Sequence, residues 1–208
     1  ERYLAGWCPT RIGDGDEDQW GGSLVCHRML FNADGTIDLK LPDGIDKKFT
    51  TLKKTVLIDK SGKAVKKEDS YVLSDVASVS FPRLDKTCKI EATVKATGND
   101  DAFGFAFGAC DDKTEVYSIR FDLKNKQLVM SKDDLTRGTT PTQTNVALTV
   151  PADKLFKVKI VAEKSVCVMY VNDKIAFSNR IDKMPKNPWA IFTDKGTEIS
   201  FSDIKVYE

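Results

Sequence analysis

Between Phe156 and Ile181 the chain reads FKVKIVAEKSVCVMYVNDKIAFSNRI, and this stretch limits the possible folds more than any other. Phe156, Val158, Ile160 and Ala162 alternate with Lys157, Lys159 and Glu163. A period of two is that of a β-strand with one wet face. A second apolar run, Val166 to Val171, stops at Asn172-Asp173, and a third starts at Ile175. Asn and Asp tolerate the left-handed backbone that a tight hairpin needs, so the stretch reads as a β-meander.

The same grammar extends over residues 70–208. Ile90, Ala92, Val94 and Ala96 alternate with Lys89, Glu91, Thr93 and Lys95. Phe103, Phe105 and Phe107 alternate with Gly104, Ala106 and Gly108, and three rings opposite a nearly bare face suggest that a neighbouring layer comes close on the bare side. Tyr117, Ile119, Phe121 and Leu123 alternate with Ser118, Arg120 and Asp122, and Lys124-Asn125-Lys126 turns the chain into Gln127 to Ser131. Near the end, Ile199 and Phe201 are out of phase with Ile204 and Val206, which predicts a β-bulge at Ser202-Asp203. Many short strands without a convincing long helix predict an all-β fold: a two-sheet antiparallel β-sandwich, concanavalin-like.

Two segments precede it. In residues 1–45, strands are expected at Arg2–Trp7, Trp20–Arg28 and Thr36–Leu41, the last entered by an Asp34-Gly35 turn. Three such strands cannot bury a core alone, so this small antiparallel β-unit must lean on something else. Residues 46–69 read as a Lys-rich linker, with Lys47, Lys48, Lys53, Lys54, Lys60, Lys63, Lys66 and Lys67, a short apolar run at Val56-Leu57-Ile58 and a turn at Ser61-Gly62.

Composition excludes several function classes. Thirty-two basic and thirty-one acidic residues nearly cancel, so nucleic acid and anionic membrane are poor partners. Few aromatic residues interleave with the lysine cluster to stack on bases. No apolar run approaches a membrane span. The first residue is Glu1 and no signal peptide is visible, so the sequence reads as a processed or excised chain. Five cysteines without a C-x-x-C pair, and a single His, argue against a zinc site, and no metal ligand or cofactor is assigned. Cys88, Cys110 and Cys167 fit core positions, and Cys8 and Cys26 could face each other if their strands pair. His27, without a partnered Ser or acid in a recognisable setting, reads as a structural strand residue.

Two regions resemble glycoside hydrolase family 32, the invertase, inulinase and levanase group. In its C-terminal sandwich that family typically has Asp-Arg-Ser, a β-run, an Asn-Gly-type turn and a Phe/Leu-Thr-x-Arg-Ile/Val ending. Here these become Glu163-Lys164-Ser165, Val166 to Val171, Asn172-Asp173 and Phe177-Ser178-Asn179-Arg180-Ile181. The family's last propeller blade typically has an Arg-x-Leu/Ile-x-x-Gly-Trp strand, a variable loop and a Trp-x-Gly-x-x-x-x-x-Arg strand. Trp20, Gly22 and Arg28 sit at matching places, with His27 where Pro is common, and Arg2, Leu4, Gly6 and Trp7 follow the same order with one residue fewer between Leu4 and Gly6. Val168 stands where the family often has Glu.

The resemblance implies a non-catalytic C-terminal region of a fructan-hydrolysing enzyme, with residues 1–45 as the last propeller-blade strands and 70–208 as the sandwich. Its implied partner is the catalytic propeller of the same parent protein, and its implied location is extracellular or periplasmic. A retaining glycosidase needs two carboxyl groups about 5–5.5 Å apart. The family takes them from Trp-Met-Asn-Asp-Pro-Asn-like and Glu-Cys runs, with a stabiliser in Arg-Asp-Pro. None of these runs occurs here, so no catalytic residue is assigned.

Three tryptophans are candidate carbohydrate contacts, because aromatic rings match the apolar faces of sugars. Trp7 and Trp20 are either core residues or, by the resemblance, part of a fructose pocket. Trp189, at the start of a strand, is either packing between sheets or a sugar platform. Asp14-Gly15-Asp16-Glu17-Asp18 opens like a calcium loop, but Gln19 and Val25 occupy the places where an EF-hand needs Gly and Glu. Two other readings remain: a carbohydrate-binding module for levan- or inulin-type glycans, and a lectin-like adhesion sandwich.

Overall fold

The computed structural model describes residues 1–11, 18–85, 87–107, 115–134, 142–181, 187–195 and 198–208, with backbone alone at 10, 11, 18–21, 115, 133, 134, 142 and 143. The described residues form two antiparallel sheets of very different size. The small one has the order β1 (Arg2–Arg11), β2 (Asp18–Phe31) and β3 (Ile37–Lys40). A single-turn helix, α1 (Asp43–Asp46), follows.

The large sheet starts within the Lys-rich stretch. Residues 46–69, expected to be a linker, contain β4 (Leu52–Lys53) and β5 (Asp59–Lys67). Strand β5 pairs along β6 (Ser70–Arg83), and β4 pairs with the last strand. Ser61-Gly62, expected to be a turn, lies inside β5 at a register shift, where β6 carries the extra residues Asp75 and Val76. All four lysines of β5 sit on an exposed edge strand, and edge lysines oppose further strand pairing.

The remaining strands are β7 (Thr87–Ala96), β8 (Ala102–Phe107), β9 (Glu115–Asp122), β10 (Gln127–Asp134), β11 (Thr142–Ala147), β12 (Leu155–Glu163), β13 (Val166–Val171), β14 (Ile175–Arg180), β15 (Pro188–Lys195) and β16 (Ile199–Tyr207). Their order is β11-β10-β9-β8-β15-β6-β16-β7-β12-β13-β14. The sandwich is thus one continuous hydrogen-bonded sheet folded over on itself. Its fold line runs through β6, whose first part pairs with β16 and whose second part pairs with β15. The sheet's two ends meet where Thr144 of β11 donates from Oγ1 to Asn179 Oδ1 of β14, 3.3 Å away.

The expected core is present between the two layers. Phe103, Phe105, Phe107, Tyr117, Ile119, Phe121, Val158 and Ile160 are all buried. Phe103 stacks on Phe121 at 5.0 Å, and Phe121 meets Phe156 edge-on at 5.2 Å. The bare face of β8 has a reason other than the one expected. A Cβ at Gly104 would lie 2.1 Å from the Ile119 carbonyl oxygen, so the close neighbour is the adjacent strand β9 and not another layer. The bulge forms as expected: the β16 register slips between Ser202 and Lys205, with Asp203 at φ 52°.

The 156–181 meander also forms. Asn172 and Asp173 both have positive φ, 54° and 52°. Asn172 also fixes the hairpin to β12, since its Oδ1 accepts from the Lys157 N–H at 2.7 Å. This places the Val168 side of β13 and the end of β14 toward the small sheet.

Candidate functional site

The small sheet has two chemically different faces. Pairing of Leu4 with His27, Gly6 with Val25 and Cys8 with Ser23 puts these residues on the face toward β13 and β14. Here Leu41, Val168 and Tyr170 form a second buried cluster, with Val25, Val161, Val166 and Ala176 packed against it. Val168 therefore lies under the small sheet, and this contact accounts for an apolar residue at that position.

Polar groups complete the junction. His27 is buried, with Nδ1 3.0 Å from the Tyr170 hydroxyl and Nε2 3.2 Å from Ser178 Oγ. Burial holds its pKa below the ordinary 6.5. Arg180 of β14 reaches across to the small sheet. It donates from Nε to the Pro9 carbonyl at 2.7 Å and from a terminal nitrogen to the Cys8 carbonyl at 2.8 Å. Its other terminal nitrogen donates to Ser165 Oγ at 2.5 Å. The Leu39 N–H of β3 donates to the Lys174 carbonyl at 2.9 Å, so the β13–β14 hairpin touches the sheet's edge too.

A charged tether holds α1 nearby. Lys89 of β7 is 5% exposed yet keeps its charge between Asp46 and Glu91, with the Tyr207 ring 4.7 Å away. Lys159 also reaches Asp46, at 3.0 Å. Partial burial pushes the Asp46 carboxyl up, but hydrogen bonds from Lys89 and Lys159 outweigh it, and the pKa lies below the ordinary 3.8. Asp43 pairs with Lys40 at 2.8 Å and with Arg28 of β2.

The opposite face of the small sheet is open. Tyr3, Trp7 and Leu24 lie on it and are 49%, 56% and 75% exposed. The Trp7 indole packs against Gly22 of β2, where a Cβ would overlap the ring at 1.7 Å from Nε1. A groove of about 370 Å³ runs from Leu24 and Cys26 past Leu41 and Ile45 to Val161 and Val166.

The three candidate tryptophans are not brought together. Trp7 is on the open face, and the Trp20 side chain lies outside the described residues. Trp189 is 2% exposed and stacks on Phe81 at 4.5 Å inside the sandwich, so it has no free ring face for a sugar. Cys8 and Cys26 are not joined to each other: Cys8 pairs with Ser23 and Cys26 with Ala5, which puts them on opposite faces of the sheet. Cys88 and Cys167 are buried, and burial pushes the Cys88 thiol up to about 12. Cys110 and the acidic loop at 14–17 lie outside the described residues. Among the described residues, no cluster of His, Cys, Asp or Glu is placed to hold a metal, and no helix is long and apolar enough to cross a membrane. The junction residues Arg180, Lys89 and Asp46 had no role by spacing alone, although Arg180 lay within the family-like Phe-Ser-Asn-Arg-Ile ending.

Solved structures with this fold include a β-fructofuranosidase from Aspergillus kawachii, with TM-score 0.63 and 14% identity over 100% of this chain and 36% of that one. A fructosyltransferase from A. japonicus gives TM-score 0.62 and 13% identity over 100% and 34%. The carbohydrate binding module CBM66 from Bacillus subtilis gives TM-score 0.59 and 11% identity over 77% of this chain and 99% of that one. The chain thus spans about a third of the length of the two enzymes and nearly the whole of the binding module. A comparison with curated protein sequences gives no match. The profile described as GH32, BT1760-like, C-terminal domain matches residues 35–206, from the turn before β3 to the end of β16. The match covers most of the chain, which belongs to the family of C-terminal domains of GH32, BT1760-like proteins.

Proposed function

We propose that the chain is the non-catalytic C-terminal β-sandwich region of a glycoside hydrolase acting on fructans, and that it braces the catalytic propeller of its parent protein. The observation that carries this reading is the two-faced small sheet. One face is held to the sandwich by Val25, His27 and the Arg180 clamp. The other leaves Tyr3, Trp7 and Leu24 open, and contiguous exposed apolar patches mark interaction surfaces. A propeller seated on that stripe would cover it. On this reading residues 1–45 are the last blade's strands, and the parent enzyme works outside the cytoplasm, in an extracellular or periplasmic space.

The test uses the parent polypeptide. Leu24→Asp is expected to shorten the half-life of fructan hydrolysis on heating while leaving kcat/KM of the surviving enzyme unchanged. Equal half-lives for the variant and the wild type would remove the bracing role.

A second reading, a binding module for levan- or inulin-type glycans, is supported by the likeness to CBM66 over nearly all of that module. With Trp189 enclosed, Trp7 is its candidate platform among the described tryptophans.

A further inference from the structure

His27 is the single histidine of the chain, and it stands where the small sheet meets the sandwich. Its ring joins β2 to two strands of the large sheet. Nδ1 lies 3.0 Å from the Tyr170 hydroxyl of β13, and Nε2 lies 3.2 Å from Ser178 Oγ of β14. Leu4 of β1 is its cross-strand partner. Arg180, two residues beyond Ser178, closes the same junction through the Cys8 and Pro9 carbonyls. The carboxylates of α1 are held by other cations, Asp43 by Arg28 and Lys40, and Asp46 by Lys89 and Lys159. The ring's hydrogen-bond partners are therefore hydroxyls, not carboxylates.

The attachment of the small sheet is slight. The buried cluster beneath it is Leu41, Val168 and Tyr170, whereas the sandwich has a continuous core between its layers. Elements held by few buried apolar groups open locally without unfolding the rest. One buried polar group can then control the opening.

We propose that this junction is an acid-operated latch: a proton on His27 unseats the small sheet from β13 and β14 while the sandwich stays folded. A neutral imidazole donates from one nitrogen and accepts at the other, which suits a hydroxyl on each side. The imidazolium donates from both, so one hydroxyl must turn, and the new charge is buried without a counter-ion bonded to it. Burial lowers the pKa of the ring and raises that of the Tyr170 hydroxyl, so Tyr170 stays neutral where His27 titrates. The seated form has its full advantage above the ordinary 6.5 of the ring, and loses it as pH falls through the lowered value. Over that interval the open fraction grows by up to about tenfold per pH unit. Release uncovers Val25, Val168 and Tyr170 on the inner face, so the latch does not depend on what covers Trp7 and Leu24.

The test is nuclear magnetic resonance of the whole 208-residue chain from about pH 8 to about pH 5, with a soluble paramagnetic probe that relaxes exposed methyl groups. With one histidine, the imidazole signal reports His27 directly. The ring is expected to titrate below 6.5. The probe is expected to relax the Val25 and Val168 methyls more strongly with the same midpoint, and to leave Ile119 inside the sandwich unaffected. His27→Gln keeps a donor and an acceptor but takes no proton, and its Val25 and Val168 methyls are expected to show no such rise. The proposal fails if the ring titrates at or above 6.5, if the two valines stay shielded while it titrates, or if they become exposed equally in His27→Gln. The two midpoints in the wild type decide the matter even where His27→Gln fails to seat the small sheet.

Discussion

Arg180 links two sheets. Its guanidinium satisfies two carbonyls of β1 while anchoring on Ser165 of its own sheet. Hydrogen bonds to a charged group contribute about 1.5–3 kcal/mol, and Arg180→Ala also leaves the Cys8 and Pro9 carbonyls half-buried without that donor. We expect limited proteolysis of Arg180→Ala to release residues 1–45 faster than in the wild type, with the sandwich fragment unchanged. Equal cleavage rates would show that the clamp is not what holds the sheet. The neighbouring His27 adds a pH dependence. Its folded pKa lies below 6.5 through burial, so its contribution is complete above 6.5 and is lost as pH falls through the lowered value. Asp46, also depressed, acts only below its ordinary 3.8. Amide hydrogen exchange in β1–β3 is therefore expected to accelerate, relative to β8 and β9, as the pH is lowered below 6.5. An unchanged ratio across that range would overturn it. These residues show why the junction was hard to read from sequence. Arg180 and Cys8 are 172 positions apart, and a two-residue period says which face a side chain takes but not what will cover that face.

At the scale of elements, alternation was readable wherever one face of a strand is buried and the other wet. That holds for β7, β9 and β12, and the phase slip in β16 revealed its bulge. It fails for β5, whose burial is low at every position, so no apolar period marks it. Strand β5 owes its strand character to pairing along β6, a long-range event that the lysine-rich composition hides. Alternation does not decide Trp189 either. At the start of a strand it fitted both packing between sheets and a sugar platform; strand β15 is central between β8 and β6 and turns Trp189 onto Phe81. The consequence for stability is local and large. Phe121 is fully buried, stacked on Phe103 and edge-on to Phe156. Phe121→Ala is expected to cost about 3–5 kcal/mol in denaturant unfolding, with the cavity spanning both layers of the sandwich. A cost below about 1 kcal/mol would mean that the aromatic cluster is not the main core.

For the molecule as a whole, the two functional readings differ in the use of one face. The family is one of C-terminal domains of GH32 proteins, and the fold occurs both within a β-fructofuranosidase and as a separate carbohydrate binding module. If the small sheet is a bracing surface, Trp7 and Leu24 are covered in the parent protein and only the purified chain exposes them. The open stripe should then drive association of the chain with itself at high concentration. If the sheet presents a sugar platform, Trp7 must stay open, as it is here at 56% exposure. We expect sedimentation velocity to show a concentration-dependent rise in mass for the wild type, abolished in Trp7→Asp and in Leu24→Asp. We also expect calorimetry with levan and inulin oligosaccharides to give no heat that depends on Trp7. The small sheet folds with its other face on Val168 and Tyr170, so neither substitution should disturb the junction. Fructan binding lost in Trp7→Ala, in a chain that stays monomeric and folded, would replace bracing with the binding-module reading.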